Sequence, residues 1–157
     1  VIDADGLNNL DDELKKLLSL RHVLTPHPGE MARLTGKPIE DVLRDPAGFA
    51  ENTAKAFGCI VLLKGAVSVA AHPDGRLRYN ASGNPGLAKG GSGDVLTGII
   101  TALLAQGLEP FDAASAGAYI LGSSAESALE LLHERALTAG DVLDAIEKTA
   151  GITEHRN

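Results

Sequence analysis

The hydrophobic pattern alternates between short apolar runs and longer amphipathic segments. Short strand-like runs occur at Val1-Ile2 and Val23-Leu-Thr25, and an uninterrupted apolar run at Ile60–Leu63 is typical of a strand buried on both faces. Between the first two runs, leucines at helical spacing predict a helix over residues 7–18, and a later helical pattern ends near Gly36. This alternation predicts an α/β fold with a mainly parallel sheet between layers of helices.

Turn and capping residues indicate the elements of the remaining chain. Asp45-Pro46 is an N-cap and first-turn pair that begins a helix ending at Gly58. Residues 67–71 and 76–79 flank the turn sequence His72-Pro-Asp-Gly75, which predicts a β-hairpin. Further helices are predicted from Asp94 to a stop at Gly107, from Pro110 to about Leu132, and from a capping-box pair, Thr138 and Asp141, to about Ala150.

Composition and charge narrow the class of protein. The chain has 157 residues, the size of one domain, of which 44% are hydrophobic and 22% charged. A net charge of −7 without a basic run argues against nucleic-acid binding, and no apolar stretch is long enough to span a membrane. The single cysteine, Cys59, excludes an internal disulfide and lies in an apolar run, so we expect a buried, inert thiol and a reducing, cytoplasmic compartment.

The most informative stretch is a glycine-rich loop, residues 84–96, that leads into a helix. Glycine lets the backbone approach an anion, and a helix N-terminus offers unpaired N–H groups and about half a positive charge, so the stretch predicts an anion cradle. A carboxylate where a phosphate would arrive makes Asp94 a candidate base. The loop is not a Walker A loop, because Gly90 follows Lys89, and it lacks the third glycine of a dinucleotide fingerprint after Gly93.

Three segments carry a resemblance to a known family. The first segment, residues 84–96, resembles the signature of the ADP/ATP-dependent NAD(P)H-hydrate dehydratases, which are repair enzymes of the ribokinase-like superfamily. Its sequence is Asn-Pro-Gly-Leu-Ala-Lys-Gly-Gly-Ser-Gly-Asp-Val-Leu. Two other segments are also similar to that family: Thr25-Pro-His-Pro-Gly-Glu-Met-Ala-Arg-Leu34 and Val1-Ile-Asp-Ala-Asp-Gly-Leu-Asn8. The resemblance covers essentially all of residues 1–157 as a single domain. It corresponds to the C-terminal part of a three-layer α/β/α ribokinase-like fold, without the family's N-terminal strands and helices.

The resemblance implies an activity and roles for particular residues. It implies that NADH or NADPH is regenerated from its hydrate: ADP or ATP phosphorylates the added hydroxyl, which then leaves as phosphate. Asp94 matches the superfamily's base, and the family more often has Thr where this chain has Ser68. Glu30 matches an acidic residue tied to Mg²⁺ through phosphate or water. The resemblance implies three groups of site residues. Gly91, Ser92 and Gly93 form the anion hole, and His27 with Asp94 binds the substrate. The nucleotide-binding residues are Lys64, Gly65, Ala66, Val67, Ser68 and Gly93.

Two other interpretations stay open at this point. The chain can belong to a ribokinase-like kinase of a small hydroxylated metabolite, such as a vitamin precursor, although the His27-Pro-Gly-Glu30 sequence favours the dehydratase. It can also be a nucleotide-binding piece without activity of its own. Asp3, Asp5 and Asn8 are either turn and cap residues or part of the active-site lining. Members of the resembling family are often homo-oligomers, so we expect one here.

Overall fold

A mixed sheet of four short strands forms the centre of the fold. The computed structural model describes residues 1–130, 133 and 136–149, and its strands are β1 (Val23–Leu24), β2 (Ile60–Leu63), β3 (Ser68–Ala71) and β4 (Leu77–Asn80). Strand β1 pairs with β2 in parallel, whereas β2–β3 and β3–β4 are antiparallel. Ile2 adds one parallel bridge to Leu24. The prediction of a mainly parallel sheet is therefore wrong for the described residues, because β2, β3 and β4 form a meander. The spatial order of the strands is the same as their order in the chain.

The helices follow the predicted pattern except in residues 4–15 and at one additional short helix, α4 (Ile39–Arg44). Instead of one helix over residues 7–18 there are two short ones, because Asp11 Oδ1 accepts hydrogen bonds from the N–H groups of Glu13 and Leu14 at 3.0 and 2.8 Å and so begins a new helix. The predicted end at Leu132 lies outside the described residues. The helices are α1 (Ala4–Asn8), α2 (Asp12–Lys15), α3 (Pro28–Thr35), an unpredicted α4 (Ile39–Arg44), α5 (Pro46–Phe57), a 3₁₀ turn (Pro85–Leu87), α6 (Ser92–Ala105), α7 (Pro110–Ala128) and α8 (Ala139–Thr149).

Local capping signals set several helix boundaries as predicted. Asp45 accepts a first-turn N–H at 2.9 Å where α5 begins, and Gly58 ends α5 at a φ of +64°. Gly36 ends α3 in the same left-handed conformation, with a φ of +65°. Thr138 N–H donates to Asp141 Oδ2 at 2.8 Å, and the Asp141 N–H donates to Thr138 Oγ1 at 3.3 Å. The predicted capping box of α8 is therefore confirmed.

Helices cover both faces of the sheet. Along β2, Ile60 and Leu62 join a core cluster with α6, α7 and α8, whereas Val61 and Leu63 join a second cluster with α1, α3, α4 and α5. Cys59 is buried in the second cluster, and burial raises the pKa of its thiol to about 12, which agrees with the predicted inert thiol. Among the described residues, none of the helices combines the length and the apolar character needed to cross a membrane.

The segment between β4 and the glycine loop runs along α7. The side chains of Asn80 and Asn84 donate hydrogen bonds to carbonyl oxygens of α7 at 3.2 and 3.0 Å, and the N–H of Gly83 donates to a glutamate of α7 at 2.7 Å. Gly122 allows the close approach, since a β-carbon there would lie 2.6 Å from the carbonyl atoms of Ser82. Helix α7 therefore fixes the path by which the chain enters the loop.

Two glycine-to-alanine substitutions are expected to have opposite effects on stability. Gly122→Ala should lower the free energy of unfolding by about 1–3 kcal/mol, because the new methyl group overlaps the Ser82 backbone. Gly98→Ala should raise it by about 0.5–1 kcal/mol, because Gly98 lies within α6 with no atom within 4 Å of the new methyl position. Urea unfolding of both variants measures the difference. Equal effects of the two substitutions would contradict this account of the α7 contact.

Candidate active site

The polar residues that follow the parallel strands meet at one edge of the sheet. Lys64 comes directly after β2, and its backbone N–H donates to Pro26 O at 2.8 Å, beside the segment that leaves β1. Asp3 follows the bridge that joins residue 2 to β1. The carboxyl ends of parallel strands share one edge of the sheet. This edge therefore brings together Asp3, Lys64 and the start of α3, where His27 and Glu30 lie.

Lys64 forms an ion pair at the centre of this cluster. Its Nζ lies 2.7 Å from Asp3 Oδ1 and 3.9 Å from Glu30 Oε2. Thr97 Oγ1 donates to the second oxygen of Asp3, Oδ2, at 3.3 Å. The side chains of Lys64, Asp3 and Glu30 are only 22%, 12% and 6% exposed, so each charged group depends on its partners rather than on water.

The ionisation of Asp3 is tied to Lys64. Burial alone raises the pKa of the Asp3 carboxyl, but the hydrogen bond from Lys64 and its positive charge oppose that effect. Hydrogen bonds from Thr25 and from the Ala4 backbone act in the same direction as Lys64. Together they outweigh burial and hold the pKa of Asp3 below its ordinary value. Asp3 is therefore a carboxylate at neutral pH and gives the lysine a fixed position.

Asp3→Asn should destabilise the fold at neutral pH by about 1–3 kcal/mol, because Lys64 loses the nearer of its two charged partners. The lowered pKa means that the contribution of Asp3 is complete above the unfolded-state pKa, about 3.9, and disappears as the pH falls through the folded-state value. The difference in unfolding free energy between the natural chain and the variant should therefore shrink below about pH 4. Urea unfolding at pH 7 and at pH 3 measures it. Asp5→Asn, two residues away and outside the ion pair, is the control.

The N-terminus of α6 lies directly beside this ion pair. Gly91, with a φ of +92°, is the N-cap, and the first backbone hydrogen bond of α6 runs from the Val95 N–H to Gly91 O at 3.1 Å. The N–H groups of residues 92–94 therefore precede the helical ladder and point out of the helix end. A β-carbon at Gly93 would lie 3.2 Å from Asp3 Oδ2 and 3.5 Å from Lys64 Nζ. The predicted anion cradle and the lysine thus face the same space.

Asp94 lies in the first turn of α6, two residues after the helix begins at Ser92. Its side chain is exposed and has no hydrogen-bond partner within the part of the chain that the structure describes. It stands at one end of an open groove of about 550 Å³ between α6 and α8, with Ile120 of α7 among the lining residues. An unpaired carboxylate at the end of an apolar groove is accessible to a ligand, as a base must be.

His27 and Glu30 hold each other at the start of α3. The His27 N–H donates to Glu30 Oε2 at 2.7 Å, and the Glu30 N–H donates to His27 Nδ1 at 3.2 Å, so the pair forms a reciprocal capping box. Because Nδ1 accepts a hydrogen bond, the proton of the neutral imidazole is assigned to Nε2. The imidazole is half exposed while the Glu30 carboxylate is almost fully buried. His27 can therefore face a ligand and Glu30 stays inside the site.

The predicted nucleotide segment forms the connection between β2 and β3. Lys64 begins it inside the cluster, and Ser68 is the first residue of β3. Between them, residues 65–67 are exposed, and the Gly65 N–H donates to Ser68 Oγ at 3.4 Å. The structure therefore brings Lys64 to the α6 terminus and leaves the rest of the segment as an open loop next to it.

Two residues at the centre of the cluster do not follow from the sequence pattern. The sequence leaves Asp3 as one of several possible lining residues and gives no role to Thr97, yet Thr97 donates a hydrogen bond to Asp3. Thr97 lies one helical turn after Gly93, so helical spacing from the glycine loop was the available signal. Asp5 lies outside the cluster, where its carboxylate accepts a hydrogen bond from Asn8 at 3.4 Å.

These features together define the class of the protein. An α/β fold that presents a lysine, buried carboxylates and a glycine-bounded helix terminus at one sheet edge is typical of proteins that handle phosphate groups. A ribokinase from Thermotoga maritima, only 16% identical, shares this fold with a TM-score of 0.53 over 92% of this chain and 48% of its own. The chain itself belongs to the NAD(P)H-hydrate dehydratase family, whose model matches residues 1–148.

Relatives of that family match the chain over most of its length. It is 47% identical, over 92% of this chain, to a bifunctional NAD(P)H-hydrate repair enzyme of Moorella thermoacetica, and 44% identical, also over 92%, to an ADP-dependent (S)-NAD(P)H-hydrate dehydratase of Neisseria meningitidis. The structure of an ADP/ATP-dependent NAD(P)H-hydrate dehydratase from Bacillus subtilis, crystallised with ATP and Mg²⁺, matches 83% of this chain at 35% identity and a TM-score of 0.79. The chain spans 28%, 51% and 48% of these proteins, respectively.

Proposed function

We propose that this chain carries the phosphoryl-transfer centre of an ADP- or ATP-dependent (S)-NAD(P)H-hydrate dehydratase with a three-layer ribokinase-like fold. The observation that carries the proposal is the convergence at Gly93. There the α6 terminus lies within contact distance of both Lys64 and Asp3. Segments separated by 61 and 94 residues thus bring an ammonium group and a carboxylate to the end of α6, where the N–H groups of residues 92–94 precede the helical ladder and Asp94 lies in the first turn.

The groups present suit transfer of a phosphoryl group to a hydroxyl. Asp94 accepts the proton of the substrate's added hydroxyl as its oxygen bonds to phosphorus, and the bond from phosphorus to AMP or ADP breaks. The N–H groups of residues 91–93 stabilise the negative charge on the transferred group, and each such donor is typically worth about 10²–10³ in rate. The phosphorylated substrate then loses phosphate, and the adjacent ring carbon gives up a proton, which restores the dihydronicotinamide.

The nucleotide and the dinucleotide approach this centre from different elements. Residues 64–68 supply a lysine, exposed backbone groups and the Ser68 hydroxyl on one side, and we assign the nucleotide phosphates to them. His27, half exposed on α3, presents its imidazole to the hydrated dinucleotide. Asp94 contacts the reacting hydroxyl from α6.

Magnesium fits the carboxylates of this site. Mg²⁺ keeps several of its waters and binds through one or two carboxylates together with substrate phosphates. Glu30 and Asp3 are oxygen donors of that kind, 3.9 and 2.7 Å from Lys64 Nζ. No cluster of three His, Cys, Asp or Glu side chains suitable for a metal occurs in residues 1–130, 133 and 136–149. Glu30 would therefore hold the ion through water or phosphate, and the ion would neutralise phosphate charge.

An assay of the protein at its natural length tests this function. NADH hydrate and NADPH hydrate are each supplied with ADP or with ATP, and the return of dihydronicotinamide absorbance is followed together with phosphate release. We expect nucleotide-dependent recovery with one phosphate released for each dinucleotide repaired. Hydroxymethylpyrimidine and hydroxyethylthiazole serve as competing acceptors. Phosphorylation of either one, with the hydrates left unchanged, would make the protein a vitamin-precursor kinase instead.

A further inference from the structure

The exposed middle of the glycine loop reaches the start of α8 through one long side chain. Lys89 Nζ donates a hydrogen bond to the backbone oxygen of Leu137 at 2.9 Å, across 48 residues of sequence. Leu137 is 1% exposed and packs in the core cluster with α6 and α7. Its carbonyl group is therefore a fixed acceptor, and the lysine ties a glycine-rich segment to the rigid part of the fold.

A second contact joins the same two segments. Gly91, the N-cap of α6, approaches the first residue of α8 so closely that a β-carbon would lie 3.1 Å from Ala139 Cβ. Its φ of +92° is one that residues with side chains rarely adopt. In contrast, Gly90 between Lys89 and Gly91 has no atom within 4 Å of its β-carbon position. The loop is thus held against α8 by the residues on both sides of Gly90, whose own β-carbon position faces open space.

The α8 side of this contact is itself well fixed. The capping box between Thr138 and Asp141 orders the residues on either side of Ala139. The positive charge of Lys89 also acts on Asp141: the pKa of that carboxyl is lowered first by the Thr138 hydroxyl and backbone N–H, and additionally by Lys89. The lysine therefore contacts an acceptor at the start of α8 and is attracted by the capping acid.

We propose that Lys89 is a positioning residue that holds the glycine loop on the start of α8 and thereby aims the N–H groups of residues 91–93 at the transferred phosphoryl group. This role rests on the proposed phosphoryl transfer. Donors act efficiently only when they are fixed before the reaction, and a displacement of about 1 Å can cost about 10²-fold in rate. Glycine residues give the loop many alternative conformations, and the tether to Leu137 restricts them.

Lys89→Met tests the proposal, with Lys37→Met at an exposed lysine beyond α3 as the matched control. In Lys89→Met, amide hydrogen exchange at residues 88–93 should become about tenfold faster or more. The value of kcat should fall about 10–100-fold, while the dissociation constant for ADP stays within about twofold, because residues 64–68 hold the nucleotide. Lys37→Met should leave all three quantities unchanged. A lysine that binds phosphate directly would instead raise the ADP dissociation constant without changing amide exchange, and that result would overturn the proposal.

Asp141→Ala tests the same proposal from the α8 side of the contact. Because it weakens the cap that orders the acceptor, it should also speed amide exchange at residues 88–93. Combined with Lys89→Met, it should add little, since both changes release the same contact. Full additivity of the two losses contradicts the proposal. Hydrogen exchange can be measured without turnover. If the unmodified protein shows no activity, that result counts against the proposed function, while amide exchange still tests the contact between Lys89 and Leu137.

Discussion

Asp94→Asn should lower kcat for hydrate repair by about 10²–10⁴-fold while the dissociation constant for ADP changes little. The amide is nearly the same size as the carboxylate but cannot accept the hydroxyl proton. Asp94 has no hydrogen-bond partner among the described residues, so within them the substitution breaks no hydrogen bond or ion pair. The measurement compares kcat and ADP affinity in the protein at its natural length.

Asp112→Asn is a matched control for this experiment. Asp112 occupies the same place in α7 as Asp94 does in α6, the third helical residue, but it pairs with Arg78 at 2.6 Å. This exposed ion pair contributes little to stability, so activity and folding should both stay near those of the natural chain. Hydrate repair that survives Asp94→Asn at a near-normal rate would remove Asp94 from the role of base.

Lys64→Met should weaken ADP and ATP binding by about 10–100-fold, because a charge-assisted hydrogen bond to phosphate contributes about 1.5–3 kcal/mol. The substitution also leaves Asp3 and Glu30 facing each other in a largely buried space without their cation. We therefore expect a lower free energy of unfolding as well. Calorimetric titration with ADP and urea unfolding measure the two effects separately.

Two further variants separate the contribution of charge from that of geometry. Lys55→Met removes an exposed lysine that pairs with Glu51 on α5, and it should change neither nucleotide affinity nor stability appreciably. Lys64→Arg keeps the charge but replaces a compact ammonium by a planar, larger group in a confined position, so it should restore stability better than affinity. If Lys64→Met binds ADP as tightly as the natural chain, the assignment of residues 64–68 to the nucleotide is wrong.

The fold was predictable where the signal was local. The apolar run at Ile60–Leu63 is a strand covered on both faces, and Asp45 and Gly58 bound α5, because burial and capping leave direct traces in neighbouring residues. The leucine pattern of residues 7–18 predicts one helix, and this prediction is wrong. Asp11 interrupts the helix because its side chain accepts hydrogen bonds from backbone N–H groups. Strand direction in the sheet depends on connections between elements, which hydrophobic periodicity does not report.

The site shows the same division between local and long-range signals. The glycine loop and its helix are adjacent in sequence, so an anion-binding terminus could be inferred from residues 84–96 alone. The contact between Asp3 and Thr97 could not be inferred from the sequence, because 94 residues separate them and only the assembled sheet edge brings them together. The reciprocal bonds of His27 and Glu30 were within reach of the sequence, since their spacing matches a capping box in which histidine takes the usual place of serine or threonine.

The wide sequence spacing of the Lys64 cluster bears on how the chain folds. Contacts that span 61 and 94 residues close large loops, and in proteins such contacts generally form late, after local helices and hairpins. The proposed nucleotide site should therefore form only late in folding. A nucleotide that binds there recognises the completed fold alone and adds its binding free energy to stability by mass action. ADP or ATP bound at the proposed site would then act as a folding ligand and protect the chain from unfolding even when no substrate is present.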